Sequence, residues 1–558
     1  MLSAKRWAVV GGSEELAARV AAALGAEAGV DPNSTDVLGV VVLPNLADDG
    51  GFTPLDDDPA ADRLPSAPSA VVSSTVVYGA TAAHPGLVPE GAAGLSKAHL
   101  RRHPVAGPWL EYEQRWAKQL DLRPDRPWAI LRSAPVPTPG GGDFWSRRLG
   151  RSLATVPWGH DPPLQMVTPE DLATTLRALL EALGDPDRTD VRRATFNLAP
   201  DATAPLRRIH ALAGVRTVAA PELPRRGLAR LAHGLRLGPE PALLDYLRHP
   251  FTASGDALRA IGAPEPSSSA AAARRLAAQG PSIGGTEGVG QDDESYDPFG
   301  LDEAFIDRLG RTAFGLLYNR IWRVESQGLD HVPTQGPAVL AGNHRGFVPA
   351  DAMMTLHAVR RRHRRTVRFL VHPTLLRWPF VAPLIARLGG LVACRENAER
   401  VLAGGGLVGI LPEGIRGAFT PIRQGYALRK FGRPVYVELA LRYGAPIVPF
   451  VTVGSAEVLP IWRNLEWRWW QKLSGWPTLP VPAVLPFLPL PLPVKWHTHY
   501  LEPILVDGYG PDAWNDRRLV RRIDAEVRRR MNDALEAILA RRPGRFRGSA
   551  LDAPDPRP

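Results

Sequence analysis

Short apolar runs alternate with longer amphipathic stretches along the first 250 residues. Valine-rich runs such as RWAVV from Arg6 and DVLGVVVL from Asp36 predict buried strands, whereas ELAARVAAAL from Glu15 and EDLATTLRALLEAL from Glu170 predict helices. Strands that alternate with helices are joined by right-handed crossovers, which favours a mostly parallel sheet. We therefore predict an α/β fold for residues 1–250, with a doubly wound parallel sheet.

The pattern changes twice further along the chain. Residues 251–300 are rich in glycine, serine, alanine and acids and poor in large apolar side chains, which predicts a flexible linker with at most one short helix. Strand-like runs then return, among them PAVLAGNH, GLVGILPEG and PIVPFVTVG. They predict a second α/β domain over residues 301–542, and residues 543–558 are expected to be a disordered tail.

The last periodic stretch predicts an amphipathic helix with arginine and aspartate on its polar face. Its apolar residues recur every three or four positions: Leu519, Ile523, Val527, Met531, Leu535 and Ile538. We expect this helix to dock on its own domain; a basic helix lying on a membrane surface is the alternative.

No segment predicts a transmembrane helix. Residues 476–494 carry no charge, but seven of them are proline, which a continuous helix cannot accommodate. The N-terminus lacks the apolar run and cleavage site of a signal peptide. The single cysteine, Cys394, excludes an intrachain disulfide and argues against a cysteine-ligated zinc site. These features lead us to expect a cytoplasmic protein.

The formal charge of +10 comes almost entirely from arginine, since only six of the 67 lysine and arginine residues are lysine. This bias indicates either GC-rich codon usage or anionic partners, because a guanidinium group binds phosphate through two hydrogen bonds. Neither a nucleic-acid reader motif nor a base-stacking pattern accompanies the charge. We therefore expect no nucleic-acid partner.

Several segments of the first 215 residues resemble the extended short-chain dehydrogenase/epimerase family. A glycine pair, Gly11-Gly12, follows the first predicted strand, and four later segments are similar to the family's strands and loops: SSTVVYG, ILRSAPV, PLQMVTPEDLA and TFNLAP. The resemblance implies a Rossmann-like fold, in which the turn after the first strand approaches the cofactor's diphosphate.

This half departs from the family wherever the cofactor would bind. Glu14 and Ala17 stand at the second and third glycines of the Gly-x-x-Gly-x-x-Gly turn, and a carboxylate there repels phosphate. Tyr112 is followed four places later by Trp116 instead of the catalytic lysine, and too few residues precede Asp36 for the two strands of the adenosine pocket. We predict a degenerate, non-catalytic domain that binds no NAD(P); weak or altered nucleotide binding is the alternative.

Two short motifs in the second half carry the candidate chemistry. His344 follows a predicted strand, and Asp351 lies seven residues later beside a predicted helix start, so a carboxylate can orient an imidazole that removes a proton from a hydroxyl. Taken alone, a pair at this spacing more often has a structural or metal-ligand role. The turn Glu413-Gly414-Ile415-Arg416 follows another strand and presents a guanidinium suited to phosphate.

Together with GGLVACRENA and APIVPFVTVG, these motifs resemble the glycerolipid acyltransferase family that includes lysophosphatidate acyltransferase, over about residues 315–505. The resemblance implies that His344 is the general base and that Asp351 orients it. It also implies substrate-binding roles for a set of nearby residues: Asn343, Arg395, Glu413, Gly414 and Arg416. The His-to-Asp spacing has six intervening residues instead of the family's usual four, which puts the acceptor in doubt more than the reaction.

We therefore predict an O-acyltransferase that moves a fatty acyl group from acyl-CoA or acyl carrier protein to a hydroxyl of a glycerolipid or lysophospholipid. It is expected to need no metal and no cofactor, and to work on the inner, anionic face of the membrane. Tryptophans beside arginines in residues 462–476 and the basic run 360–365 suggest this contact; an aromatic core cluster and a solvated turn are the alternatives. Alternative functions are a non-catalytic lipid-binding scaffold and a bifunctional NAD(P)-dependent reductase/acyltransferase.

Overall fold

The computed structural model describes residues 6–25, 37–44, 67–91, 100–122, 126–235, 240–279, 297–346, 349–482, 491–552 and 554–555. The chain forms two compact units. The first unit comprises residues 1–301 with 378–384, and the second unit comprises residues 302–377 with 385–558.

A five-stranded parallel sheet lies at the centre of the first unit, with the strand order β1-β2-β3-β4-β7. The strands of this unit are β1 (Arg6–Gly11), β2 (Val37–Leu43), β3 (Ser69–Ser74), β4 (Trp128–Ser133), β5 (Leu153–Pro157), β6 (Pro163–Leu164), β7 (Ala194–Leu198), β8 (Ala204–Pro205) and β9 (Arg216–Ala220). Two minor pairs, β5 with β9 and β6 with β8, complete its β structure among the described residues. The predicted α/β fold with a parallel sheet is confirmed.

The helices of the first unit are α1 (Glu14–Leu24), α2 (Ala106–Asp121), α3 (Phe144–Leu149), α4 (Pro169–Gly184), α5 (Leu206–Leu212), α6 (Glu222–Gly234), α7 (Asp256–Ala260) and α8 (Ser269–Gln279). Local sequence explains where they begin. Thr168 and Asp171 form a reciprocal capping box at the start of α4, with Pro169 in its first turn. Leu172, Leu176, Leu179 and Leu183 then face the core, and α4 packs against α1.

A seven-stranded mixed sheet lies at the centre of the second unit, with the strand order β10-β18-β15-β11-β14-β12-β13. Its strands are β10 (Glu325–Gln327), β11 (Ala338–Gly342), β12 (Val367–Val371), β13 (Leu391–Val392), β14 (Leu407–Ile410), β15 (Ile447–Val453) and β18 (His497–Tyr500). Strands β16 (Ile461–Leu465) and β17 (Leu479–Pro482) form a separate antiparallel hairpin. All neighbours in the large sheet are parallel except β15 and β18.

The helices of the second unit are α9 (Glu303–Arg311), α10 (Ala313–Leu316), α11 (Ala350–His363), α12 (Val381–Arg387), α13 (Arg395–Ala403), α14 (Gly414–Ala418), α15 (Val435–Tyr443), α16 (Ser455–Val458), α17 (Arg468–Ser474) and α18 (Arg517–Arg541). The part of α12 up to Leu384 clusters with the first unit. The apolar face of α18 is buried in a core that it shares with α13, α15 and the central strands. The prediction that this helix docks on its own domain is therefore confirmed.

Two sequence-based expectations differ from the structure. The flexible linker predicted for 251–300 is wrong for residues 251–279, because Phe251 is buried in the first core and small Ala272 and Ala273 let α8 pack closely there. Residues 280–296 of that prediction lie outside the described residues. The disordered tail predicted for 543–558 is wrong for its described part, because Ala550 and Leu551 are buried in the core beside α18.

Candidate active site

The site begins at the end of β11, in the middle of the large sheet. Strand β11 is fully buried between β14 and β15, so the residues that follow it emerge at the centre of one sheet edge. Asn343 is the first of them and is completely buried. Its side-chain amide donates to the carbonyl of Thr452 over 3.0 Å, and its side-chain oxygen accepts from the Thr452 amide over 2.7 Å. Asn343 thus fixes the end of β11 to β15 and so positions His344.

His344 and Asp351 form a hydrogen-bonded pair. The imidazole Nδ1 lies 2.8 Å from Asp351 Oδ2, and Asp351, in the first turn of α11, is only 1% exposed. The same carboxylate oxygen accepts from the backbone amide of Arg345 over 3.2 Å. The wide His-to-Asp spacing therefore still aims the carboxylate at the imidazole, because α11 begins at Ala350 and brings Asp351 back to the strand end.

The electrostatic environment makes His344 a stronger base than a free histidine. Burial alone opposes protonation of the imidazole, but the charge of Asp351, the hydrogen bond to it and the charge of Glu413 act in the opposite direction. The net effect raises the pKa of His344 above its ordinary value of 6.5. Because Nδ1 is held by Asp351, Nε2 is the ring nitrogen left to accept a proton from another molecule.

A buried ion pair joins the two motifs. Glu413 and Arg345 have completely buried side chains, and Arg345 Nη1 lies 2.7 Å from Glu413 Oε1. Glu413 Oε2 also accepts from the backbone amide of His344 over 3.0 Å, and Oε1 from that of Arg429 over 2.5 Å. Arg345 donates to the carbonyls of His344 and Ala427 as well. Glu413 therefore orients the backbone around His344, and its oxygens are occupied by protein donors.

The turn after Glu413 lies directly against the histidine backbone. Gly414 has φ = +57°, a conformation that favours glycine, and it starts α14. A Cβ added at Gly417 would lie 2.8 Å from the carbonyl oxygen of His344, so only glycine permits this approach. Arg416, one residue before, is exposed and lines a cavity of about 920 Å³. The structure thus brings His344, Asp351, Glu413, Gly414 and Arg416 to one region.

Comparison with known proteins identifies the family. A sequence profile of the family described as Acyltransferase matches residues 323–453. Uncharacterized proteins of Mycobacterium tuberculosis and Mycobacterium leprae are 31% and 32% identical over 262 residues, which make up 46% of this chain and 73% and 71% of theirs. The chain belongs to the acyltransferase family.

Solved structures resemble each half at a distance. The human epimerase family protein SDR39U1, solved with NADPH, is 16% identical with a TM-score of 0.36, over 49% of this chain and 99% of that one. The 1-acyl-sn-glycerophosphate acyltransferase PlsC of Thermotoga maritima is 19% identical with a TM-score of 0.28, over 41% of this chain and 79% of that one.

Arg395 lies further along the same mixed sheet than His344. It begins α13 after the edge strand β13, three strands away from β11 in the sheet. Its guanidinium contacts Glu399 at 3.0 Å and Glu438 at 3.3 Å and lies 5.4 Å from the Trp514 ring centre. These contacts are those of a structural ion-pair network. The acceptor-binding role expected for Arg395 stays a prediction.

Most of the basic run 360–365 is also occupied within the acyltransferase unit. Arg360 pairs with Glu303 and Asp307, and Arg362 pairs with Asp330. Arg365 donates to three backbone carbonyls, one of them that of Gly405. These contacts account for three of the five arginines without an external anion.

Some residues of the acyltransferase site were missed at the sequence level. Arg345 stands directly after His344, yet nothing in the sequence shows that it is buried against Glu413. Thr452 was missed because its role uses only backbone groups. The further cations of the 920 Å³ cavity come from segments outside the motifs; the nearest signal was the alternation of tryptophan and arginine after residue 461.

The first unit does not fit a dinucleotide at the place where the fold family binds one. A Cβ at Gly12 would lie 2.8 Å from Leu43 Cβ, so the side chain of Leu43 fills the space beside the glycine turn. The Ser13 hydroxyl accepts from Leu16 N, and Glu14 adds a carboxylate to the first turn of α1. Tyr112 and Trp116 are buried, with ring centres 6.5 Å apart. These residues do not suit NAD(P).

Within the described ranges, no helix is long and apolar enough to cross a membrane. The same ranges contain no group of three or more histidine, cysteine or acidic side chains arranged to hold a metal ion.

Proposed function

We propose that this acyltransferase moves a fatty acyl group from a thioester donor, acyl-CoA or acyl carrier protein, to a hydroxyl of a glycerolipid or lysophospholipid. The observation that carries the proposal is the 2.8 Å contact between His344 Nδ1 and the buried carboxylate of Asp351. A buried carboxylate stabilises the imidazolium that forms when Nε2 removes a proton from the acceptor hydroxyl.

The proton transfers of this reaction need no protein group besides His344 and Asp351. As His344 removes the hydroxyl proton, the acceptor oxygen attacks the thioester carbonyl carbon, and a tetrahedral intermediate forms. The intermediate collapses with cleavage of the carbon–sulfur bond, which yields an ester and a thiolate. The imidazolium returns its proton to the thiolate, so His344 is neutral again for the next cycle.

The test is acyl transfer by the purified full chain from labelled acyl-CoA and acyl carrier protein to a panel of lipid hydroxyls, read by mass spectrometry. His344→Ala is expected to lower kcat by roughly 10²- to 10⁴-fold, the usual contribution of general-base catalysis. His372→Ala, which alters an exposed histidine of the same unit, is the matched control. If wild type forms no ester with any pair, the non-catalytic lipid-binding scaffold is the better description.

We also propose that the β16–α17–β17 segment contacts an anionic membrane surface. Trp467 and Trp469 are 46% and 57% exposed, and their rings lie 5.8 Å apart in a stacked arrangement. Exposed tryptophans beside Arg468 suit a bilayer interface, where the rings enter the headgroup layer and the cation contacts phosphate.

Vesicle flotation tests this membrane contact. Vesicles containing phosphatidylglycerol are expected to capture the full chain, and the variant Trp467→Ser/Trp469→Ser is expected to lose most of that capture. Phe546→Ser, which removes another exposed aromatic of the same unit, should behave like wild type. Equal capture of wild type and the tryptophan variant would overturn the assignment.

A further inference from the structure

The cavity beside Arg416 is strongly basic. Five of its lining residues are cations: Arg416, Arg423, Arg429, Lys430 and Arg463. None of the lining residues is acidic, and no carboxylate among the described side chains forms an ion pair with any of the five. This differs from Arg345, Arg360 and Arg395, each of which has a carboxylate partner. Clustered like charges repel one another, so an uncompensated cluster in a concave site indicates an anionic ligand.

An aromatic wall accompanies the charge. Trp462 lines the cavity, and its ring centre lies 5.0 Å from the guanidinium carbon of Arg463 and 5.8 Å from that of Arg423. An exposed indole can stack on a base, and the guanidinium groups beside it can bind phosphate. Proteins use this combination to bind nucleotides.

The cavity also contains polar atoms that have no partner within the described protein. Asn464 uses its side-chain nitrogen to donate to Phe419 O over 2.6 Å, while its side-chain oxygen is buried without a hydrogen bond. The hydroxyl of Thr478 is also buried without a hydrogen bond. Both residues line the cavity. The described protein thus leaves an acceptor and a hydroxyl unsatisfied in residues that line the cavity.

Size and charge decide which anion fits. A cavity of about 920 Å³ is in the range that holds a whole drug-sized ligand and is larger than one phosphate group requires. The nucleotide end of CoA carries a 3′-phosphate monoester of about two negative charges, a diphosphate and an adenine ring. An acceptor lipid carries one phosphate and no base. An acyl carrier protein would present acidic side chains on its outer surface, but no base to stack on the Trp462 ring.

We infer that this cavity binds the 3′-phosphoadenosine diphosphate end of CoA, and that CoA is therefore the acyl carrier for this enzyme. Gly417, next to Arg416, closely approaches His344 O, so the Arg416 rim is the side of the cavity from which the pantetheine arm would extend towards the proposed base. The inference rests on the proposed acyl transfer for its meaning, but nucleotide binding itself can be measured without turnover.

Calorimetric titration of the full chain tests the site with free CoA, 3′-dephospho-CoA and glycerol 3-phosphate. CoA is expected to bind at least about 10-fold more tightly than dephospho-CoA, since a charge-assisted phosphate contact contributes at least that factor. Arg423→Gln/Arg463→Gln is expected to weaken CoA binding by a similar factor and to leave the affinity for dephospho-CoA nearly unchanged. Arg433→Gln, which removes an exposed cation of the same unit outside the cavity lining, is the matched control.

Two results would overturn the assignment. One is equal affinity for CoA and dephospho-CoA. The other is a loss of glycerol 3-phosphate binding, but not of CoA binding, in the double variant, which would make the cavity the acceptor's phosphate site. His344→Ala should bind CoA like wild type. CoA binding without acyl transfer by wild type would refute only the proposed function, whereas transfer from acyl carrier protein without CoA binding would refute only this inference.

Discussion

His344 owes its basicity to two carboxylates that act in different ways. Asp351 contacts the ring directly, whereas Glu413 holds the backbone amide of His344 and contributes its charge from a buried position. Both raise the pKa of the imidazole against the opposing effect of burial. Because a general base works only when neutral, a raised pKa places the acidic limit of activity at a higher pH than free histidine would.

The pH profile of kcat should therefore fall on its acidic side through a pKa above 6.5. Asp351→Asn removes the charge that favours the imidazolium, so this limb should move to lower pH while kcat falls by roughly 10²- to 10⁴-fold. Asp330→Asn, which alters an exposed ion-paired aspartate, should keep the wild-type profile. An acidic limb that stays in place in Asp351→Asn would contradict the assignment of this pKa to His344.

The buried pair of Arg345 and Glu413 gives a second prediction at this scale. Glu413→Ala leaves the Arg345 guanidinium buried without its carboxylate, so the free energy of unfolding should fall by about 3–5 kcal/mol. Urea unfolding of the full chain measures the change. Glu438→Ala removes a partly exposed partner of Arg395 and should cost about 1 kcal/mol or less. An equal decrease in the free energy of unfolding in both variants would show that the buried ion pair contributes no more to stability than an exposed one.

The sequence pattern located the proposed base and the turn after Glu413, but not the contacts that connect them. His344, Asp351 and Arg416 were recognisable because a strand end followed by a turn is visible in the letters. The burial of Glu413 and Asn343 was not, because it depends on which strands become neighbours in the sheet. The ion pairs of Arg395 were not visible for the same reason: Glu438 reaches Arg395 and Glu399 only when α13 packs beside α15.

At the scale of elements, α18 holds one face of the acyltransferase sheet. Seven of its apolar residues are buried, and Val527 and Met531 in the middle are completely inaccessible. Asp516 starts the helix by accepting from the backbone amides of Arg518 and Leu519. The helix packs against β15, the strand whose Thr452 is bound to Asn343. Packing by α18 therefore supports the position of the site.

Met531→Ala should lower the free energy of unfolding by about 2–5 kcal/mol, because it leaves a cavity in a close-packed core. Arg521→Ala, on the exposed face of the same helix, should change it by no more than about 0.5 kcal/mol. Urea unfolding again supplies the measurement. A small effect of Met531→Ala would mean that α18 lies on the sheet without contributing to its core.

Periodicity predicted elements well where an apolar face was long, and poorly where small residues do the packing. The face of α18 was predicted residue by residue. In contrast, α8 was predicted as part of a linker, because Ala270, Ala272 and Ala273 provide no strong hydrophobic signal even though all three are buried. Small side chains allow close approach between elements, and that benefit depends on a neighbour that the local sequence does not reveal.

The whole molecule combines an acyltransferase unit with an α/β unit that contains an intact parallel sheet. In the first unit the strand order of the central sheet follows the chain from β1 to β4 and then β7. Dinucleotides bind open sheets of this kind where the strand order reverses, and the described strands contain no such reversal. A buried network of Glu113 with Ser73 and Arg132, and of Tyr78 with Arg132 and Asn197, holds the interior together.

Titration of the full chain with NADPH should therefore give no binding in the micromolar range. Leu43 occupies the space beside the Gly12 turn, the Ser13 hydroxyl takes an amide of α1 that a phosphate would use, and Glu14 opposes negative charge there. A parallel titration with CoA serves as the control, since the expected heat of CoA binding shows that the same sample is folded and competent. Micromolar NADPH binding that persists in the Arg423→Gln/Arg463→Gln variant would establish a nucleotide site outside the basic cavity. That result would favour the bifunctional reductase/acyltransferase. NADPH binding that disappears in the variant would instead mean that the adenosine phosphates of NADPH bind in the CoA cavity.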